Sequence, residues 1–321
     1  MKKILITGGG GFVGSRLARR LLKSPPDFFN PEFQLTLADQ FPIPQDLSAH
    51  PKVTAAVGSM LTQSQLFSSG FDGVFHLASA VSGECELDFD LGLRSNIDST
   101  RLLLDGLRKA GNVPRVFFSS SIAVFGPDPA LQTPSVVTDN TLPAPQTSYG
   151  THKMMCEYLI ADYTRKGFID GRSARLMTVT VRPGKPNGAA SSFFSGIIRE
   201  PLAGIPTICP VDASVAHPVS SPHSAVEGII GVFSANRSIF KRRLAVNLPA
   251  LNVTVAEMLD ALEKIAGPKV RALVTFQRDE RIAGIVANWP QKASSDTATS
   301  ILGLQSDKSF EAIIKQYISE L

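Results

Sequence analysis

Tyr149 and Lys153 stand four residues apart in Tyr149-Gly150-Thr151-His152-Lys153. On a helix that spacing brings both side chains to one face. A free phenol, with a pKa of about 10, is a poor base near neutral pH. A neighbouring ammonium favours the phenolate, which makes the phenol usable as a general base. The pair alone also occurs as surface decoration, so its surroundings decide. Upstream, Phe117-Phe118-Ser119-Ser120-Ser121-Ile122-Ala123-Val124-Phe125-Gly126 is an apolar run broken by serines. A hydroxyl at such a strand end could hold a substrate hydroxyl or carbonyl beside the phenol. An ordinary strand-end serine cluster is the alternative.

A second constellation, Thr7-Gly8-Gly9-Gly10-Gly11-Phe12-Val13-Gly14, follows an apolar segment and opens a helix carrying Val13, Leu17 and Leu21 on one face. Gly8 permits a tight turn, Gly11 lets the backbone approach a pyrophosphate, and Gly14 allows close packing of helix on strand. The helix N-terminus supplies free N–H groups and partial positive charge for phosphates. In this strand–turn–helix setting the motif reads as a dinucleotide site. Asp39 ends the next apolar segment. A carboxylate there could accept bonds from an adenosine ribose and repel a 2′-phosphate, favouring NAD over NADP, or it could simply close a turn.

These residues need rigid elements to position them. Strands are predicted at Lys3 to Thr7, Gln34 to Ala38, Val53 to Val57, Gly73 to Leu77, Arg115 to Ser119 and Thr178 to Val181. Helices are predicted after Gly11, over Ile97 to Leu107 and over Tyr149 to Arg165. The alternation implies βαβ units and an α/β fold, a Rossmann-type doubly wound parallel sheet. Residues 1–183 are expected to form the NAD-binding domain, and 184–321 a smaller C-terminal substrate lobe with room for returns to the sheet. A capped helix is expected near Thr254 and a last one over Phe310 to Ile318. The stretch from Pro127 to Pro145 reads as a long loop, a lid or a static surface segment.

Composition narrows the partners. The 321 residues are 43% hydrophobic and 19% charged, enough to bury a full core. The net charge of +4 is spread along the chain, with no Lys/Arg run interleaved with aromatics, so no nucleic acid is expected. Arg16, Arg19, Arg20 and Lys23 read as a solvated helix face. Three cysteines without CxxC or metal spacing suggest reduced thiols, a cytoplasmic setting and no metal. No apolar run approaches the roughly 20 residues that span a bilayer, so no membrane is expected.

Taken together, the Thr-Gly-x-x-Gly-x-x-Gly start, the serines before Ala123-Val124-Phe125-Gly126 and the Tyr149/Lys153 pair resemble an extended short-chain dehydrogenase/reductase, the superfamily of sugar-nucleotide epimerases and dehydratases. The resemblance covers essentially the whole chain. It implies Tyr149 as general base, Lys153 as the group that binds the nicotinamide ribose and lowers the tyrosine pKa, and Ser121 as the substrate-polarising hydroxyl. It implies that Asn96 supports a water relay to the lysine. For the cofactor NAD it implies contacts with Gly8, Gly11, Phe12, Val13 and Asp39, with Leu77, Ala78 and Ser119, and with Pro183 and Gly184 near the carboxamide. It also implies a homodimer built on a four-helix interface.

Departures from the family pattern are informative. Gly184-Lys185-Pro186-Asn187-Gly188 replaces the Asn-Val-Tyr-Gly-Pro of many sugar-nucleotide members. Val219-Ser220-Ser221-Pro222-His223-Ser224 replaces their His-Val-Asp-Asp stretch, and Ser121-Ile122-Ala123 lacks the acidic pair that dehydration needs. Residues 184–193 and 216–222 resemble the branch of D-erythronate dehydrogenases, which implies NAD-dependent oxidation of a four-carbon sugar acid at C2. Such a substrate needs a cation for its carboxylate and polar groups for its hydroxyls. Lys185, Arg182 and Arg199 are the candidate cations; Ser79, Ser82, Asn187 and His217 join Ser121 as candidate hydroxyl partners. Each could equally be a solvated or structural residue. His152 and His223 receive no role, and Trp289-Pro290 reads as lobe packing. The alternatives are a nucleotide-sugar epimerase with tightly held NAD and a non-catalytic dinucleotide sensor; retention of Ser121, Tyr149 and Lys153 counts against the sensor.

Overall fold

The structure, a computed structural model, describes residues 1–128, 130, 134–184, 190–240 and 244–321. In chain order the first strands are β1 (Lys3–Thr7), β2 (Gln34–Asp39), β3 (Val53–Val57), β4 (Gly73–His76), β5 (Arg115–Ser121) and β6 (Asp170–Leu176). They are followed by β7 (Thr178–Val179), β8 (Thr207–Cys209), β9 (Ala216–Ser220), β10 (Val246–Asn247), β11 (Leu251–Thr254) and β12 (Val274–Phe276). The longer helices are α1 (Phe12–Lys23), α2 (Ser99–Ala110), α3 (Ser148–Arg165), α4 (Ser192–Leu202), α5 (Pro222–Ser234), α6 (Val255–Ala266) and α7 (Phe310–Ser319).

A seven-stranded parallel sheet of order β10-β6-β5-β4-β1-β2-β3 forms the frame. The central strands β1, β4 and β5 are buried on both faces because helices cover both. Ile4, Ile6, Phe75 and Phe117 pack under α1 and α5 with Leu17, Leu21, Ile229 and Phe233. Leu5, Val74, Val116 and Phe118 point the other way, onto Leu103 and Leu107 of α2 and Ile160 of α3. The period of two along each strand thus feeds two cores. The strand order reverses direction at β1, which pairs with both β2 and β4. Such a switch point opens a crevice beyond the strand C-termini, where ligands bind.

The strand expected at Thr178 to Val181 is a correction. The sheet strand is β6, earlier in the chain, and only Thr178 and Val179 form a strand beyond it, in another sheet. β6 hid in the sequence because its Asp170-Gly171-Arg172-Ser173-Ala174-Arg175 is polar. Each buried arginine has a carboxylate partner, and Asp170 serves Arg115 as well. Arg172 pairs with Asp170 and donates to the Phe233 carbonyl at the end of α5, and Arg175 pairs with Glu157.

The second lobe has its own core, with Phe194 and Ile197 of α4, Met258 and Leu262 of α6, and Ile314 of α7 around Val219 of β9. It contains the sheet β11-β9-β7 and the ribbon β12-β8. The capped helix is α6, where Thr254 and Glu257 form a reciprocal capping box. Residues beyond 183 return to the first lobe: α5 covers the sheet and β10 pairs with β6. Among the described residues no helix is long and apolar enough to cross a membrane, and no group of His, Cys, Asp and Glu could hold a metal. Cys85, Cys156 and Cys209 are free and buried.

Candidate active site

A cavity of about 590 Å³ runs over the C-terminal ends of β1, β4, β5 and β6. At one end lies the glycine turn. The Gly8 N–H donates to the Ala38 carbonyl at 2.8 Å, with Gly8 at φ +71°. A Cβ on Gly8 would stand 2.8 Å from the Ala78 nitrogen, and one on Gly14 2.0 Å from the Gly8 oxygen, so the fold itself demands both glycines. Gly11 differs. A Cβ there would meet only the Gly8 oxygen, at 3.2 Å, and would otherwise fill the cavity. Its smallness therefore serves a ligand. Gly11 caps α1 without a side-chain acceptor, so the first-turn N–H groups of the helix are available to an anion. Across the turn, Asp39 accepts from the Gly10 and Phe41 N–H groups at 3.0 Å each, which fixes its carboxylate on the cavity wall. Two of roughly four lone-pair directions remain for ribose hydroxyls. The residues present fit NAD.

His76 organises the neighbouring strand end. The Thr100 hydroxyl donates to the Asn96 carbonyl at 2.6 Å, so His76 Nε2–H must donate to Thr100 Oγ1 at 2.8 Å. His76 Nδ1 then accepts from the Thr7 hydroxyl at 2.7 Å, while Thr7 Oγ1 accepts from the Leu77 and Ala78 N–H groups. The chain of bonds ties β1, β4 and α2 together and sets Leu77 and Ala78 against the cavity. Burial pushes the His76 pKa down to about 3, so the ring is neutral.

The α3 helix starts against the turn that follows β5. Thr147 caps it by accepting from the Gly150 N–H at 3.1 Å, and a Cβ on Gly150 would stand 2.1 Å from the Ala123 oxygen. That contact holds the start of α3, and Tyr149, half-buried, lines the same cavity as Ser121. Lys153 is buried, donates to the Ser119 carbonyl at 2.9 Å and lies 5.5 Å from the centre of the Tyr149 ring. The three serines diverge. Ser119 contributes its carbonyl, Ser120 donates to Glu157 at 2.5 Å, and Ser121 Oγ accepts from the Ala123 N–H at 3.1 Å on the cavity wall.

Asn96 stands one layer behind. Its Oδ1 accepts from the Ala80 N–H at 2.8 Å and the Ser79 hydroxyl at 3.0 Å, and its carbonyl accepts from Thr100 and from the Cys156 thiol. It thus pins the loop after β4 rather than touching Lys153.

Gly8, Gly11, Phe12, Val13, Asp39, Leu77, Ala78, Ser79, Ser82, Ser119, Ser121, Tyr149 and Lys153 all line the cavity. Other expected residues do not. Pro183 and Gly184 are exposed and off its wall, whereas Leu176, the last residue of β6, and Met177, Thr178 and Val179 beyond it line the cavity. Arg199 is buried away from the cavity, donating to the Arg182 carbonyl at 2.7 Å and pairing with Glu200 at 2.5 Å. Lys185 and Asn187 lie outside the described residues.

Arg182 does line the cavity, with Nε donating to the Val179 carbonyl at 2.9 Å. Desolvation pulls its pKa below the ordinary arginine value, while the charge of a Tyr149 phenolate acts on it in the opposite sense. It remains a cation at any working pH. Trp289, expected only to pack the lobe, also lines the cavity. No local pattern marks Thr178 or Trp289, because only tertiary structure brings them to the site.

An anion-ready turn at a switch point, next to hydroxyl, phenol and ammonium groups, defines a nicotinamide-dependent oxidoreductase. Known proteins agree. The model of the NAD dependent epimerase/dehydratase family matches residues 4–212. The chain belongs to this family and uses NAD. It is 44% identical to a D-erythronate dehydrogenase of Cupriavidus necator, over 99% of this chain and 98% of that protein. It is 39% identical to one of Haemophilus influenzae, over 98% of each. A solved structure described as a nucleoside-diphosphate-sugar epimerase from Agrobacterium tumefaciens is 40% identical, with a TM-score of 0.89 over 99% of this chain and 94% of that one. An L-threonine dehydrogenase from C. necator shares the fold at 23% identity, with a TM-score of 0.85 over 99% of each chain.

Proposed function

We propose that the protein oxidises a short sugar acid, D-erythronate first among them, at its C2 hydroxyl to the 2-oxo acid. The observation that carries this reading is Arg182. It places a desolvated cation on the cavity wall within electrostatic reach of Tyr149, which suits a carboxylate adjacent to the reacting carbon. The D-erythronate dehydrogenases that the chain resembles over nearly its full length support the same substrate.

In this reading Gly11, the first turn of α1 and Asp39 hold the diphosphate and adenosine ribose of NAD, and Leu77, Ala78 and Ser119 flank it. NAD supplies the two-electron acceptor and leaves as NADH. Arg182 orients the acid by its carboxylate. Ser121 hydrogen-bonds the C2 hydroxyl, and Tyr149 takes its proton as the carbinol becomes a carbonyl. Lys153, donating to the Ser119 carbonyl, stands behind the Tyr149 ring. Asn96 acts at one remove, by fixing Ser79 and Ala80. Two copies pair through the outer face of α3.

The test is NADH formation, followed by absorbance, with NAD and four- to six-carbon sugar acids. D-erythronate is expected to give the signal. Tyr149→Phe should lose about 10² to 10⁴ in rate while NAD still binds. Arg182→Met should raise KM for the acid about tenfold or more, the loss of one charged hydrogen bond, without weakening NAD. A flat trace with every acid, together with thermal stabilisation by a nucleotide sugar, would replace this reading with an epimerase.

A further inference from the structure

The far wall of the cavity is built with few degrees of freedom. His217 Nδ1 lies 3.2 Å from the Pro290 carbonyl, which can only accept, so Nδ1 carries the proton. His217 Nε2 is then the acceptor of the Thr178 hydroxyl, at 2.8 Å. The ring is held on its faces as well. It stacks on Phe194 at 5.2 Å and 10°, and Trp289 lies 5.2 Å away at 42°. Burial lowers the His217 pKa to about 4, so the neutral tautomer persists at working pH.

Two consequences follow for a ligand. Ser121 is in register with Leu176 at the end of β6, and Thr178 stands only two residues further on. The wall is therefore close to the reacting hydroxyl, and a longer acid would run into it. Thr178 has already given its proton to His217. Towards the cavity its oxygen can only accept, so it suits a terminal hydroxyl and repels a second carboxylate.

We propose that Thr178, His217 and Trp289 form a rigid end wall, with the Thr178 oxygen as its acceptor, that selects short monocarboxylic sugar acids ending in a hydroxyl, and excludes longer acids and dicarboxylates. The inference rests on the sugar-acid reading above and adds the length and end-group rule.

The experiment compares kcat/KM for D-erythronate, D-gluconate and tartrate in the wild-type chain, Trp289→Ala and Trp289→Phe. Wild type should favour erythronate over both. In Trp289→Ala the erythronate-to-gluconate ratio should fall about tenfold or more, the scale of a few carbons in a fitted pocket, with Trp289→Phe between the two. Thr178→Val should lower kcat/KM for erythronate but not for 2-hydroxybutyrate, which has no terminal hydroxyl. Trp289 is the only tryptophan, so its fluorescence in Tyr149→Phe protein with NAD should respond to saturating erythronate. If erythronate is oxidised but the ratio is the same in all three proteins, or the fluorescence is unmoved, the wall is wrong and the sugar-acid reading stands. If wild type oxidises no sugar acid, both fall.

Discussion

Glu157 is fully buried, and its carboxylate accepts from Ser120 Oγ at 2.5 Å and from Arg175 Nε and Nη2 at 2.9 and 2.8 Å. It follows Lys153 by one helical turn and Ser120 precedes Ser121, so the pair joins the elements that carry the reacting groups. Burial of both charges has a large desolvation cost, which the bidentate geometry and the serine offset. Removing one partner leaves an uncompensated charge in the core, and Arg175 Nη1 already lacks a hydrogen-bond acceptor. Glu157→Gln should therefore cost about 3–5 kcal/mol in urea unfolding. The control is Arg19→Ala, which breaks an exposed pair with Asp46 and should cost no more than about 1 kcal/mol. A Glu157→Leu, Arg175→Met double variant should recover part of the loss. Equal costs for Glu157→Gln and Arg19→Ala would show that the buried pair has no special weight.

At the scale of elements, α3 is apolar on more than its inner face. His152, Cys156 and Ile160 are buried, yet Met155 and Tyr158 are about half exposed, at 46% and 50%. Leu87 and Phe89, from short helices packed on α3, are exposed as well. Grouped apolar exposure of this kind marks an interaction surface, and a second copy of the chain is its proposed occupant. Sedimentation should give a dimer for the wild-type chain and a monomer for a Phe89→Glu, Tyr158→Glu variant; a monomeric wild type would refute this. α3 is also the helix that sequence reads most directly, together with α1, α6, α7 and strands β1 to β5, because apolar periodicity and capping residues act locally. The same locality made the glycine turn, Asp39, Ser121, Tyr149 and Lys153 legible. β6 is hard to read because Glu157, which neutralises Arg175, comes from another element, although Asp170 stands only two residues before Arg172. β10 is only two residues long, and α5 joins the first core from far along the chain. Arg199 reads as a free cation because only folding brings it onto the Arg182 carbonyl, although its other partner, Glu200, is the next residue in the chain.

Across the whole molecule, two buried histidines are held far below their ordinary pKa, His76 in the sheet at about 3 and His217 in the second lobe at about 4, and burial lowers the His152 pKa as well. In the unfolded chain both would titrate near 6.5. Below pH 6.5 the unfolded state therefore binds more protons than the folded one, and stability falls with pH. The contribution is complete above the unfolded pKa and is lost as pH drops towards the folded values. Each histidine costs about 1.4 kcal/mol per pH unit across that window. The two share no partner, so their effects should add. From pH 6.5 to 4.5 the sum is about 5 kcal/mol, set against a typical total stability of about 5–15 kcal/mol. Carboxylates with lowered pKa, such as Asp72 with the N–H groups of Lys2 and Lys3, lose their contribution only at more acidic pH, so this interval reports mainly on the histidines. Urea unfolding at pH 7.5, 6.5, 5.5 and 4.5 should show a steady drop below 6.5, and His217→Asn should make that slope clearly shallower. A stability that stays level to pH 5 would mean that the rings accept protons in place. Because His76 sets Leu77 and Ala78 against the cofactor end and His217 forms the opposite wall, the acid response of the fold and the integrity of both ends of the cavity depend on the same two neutral rings.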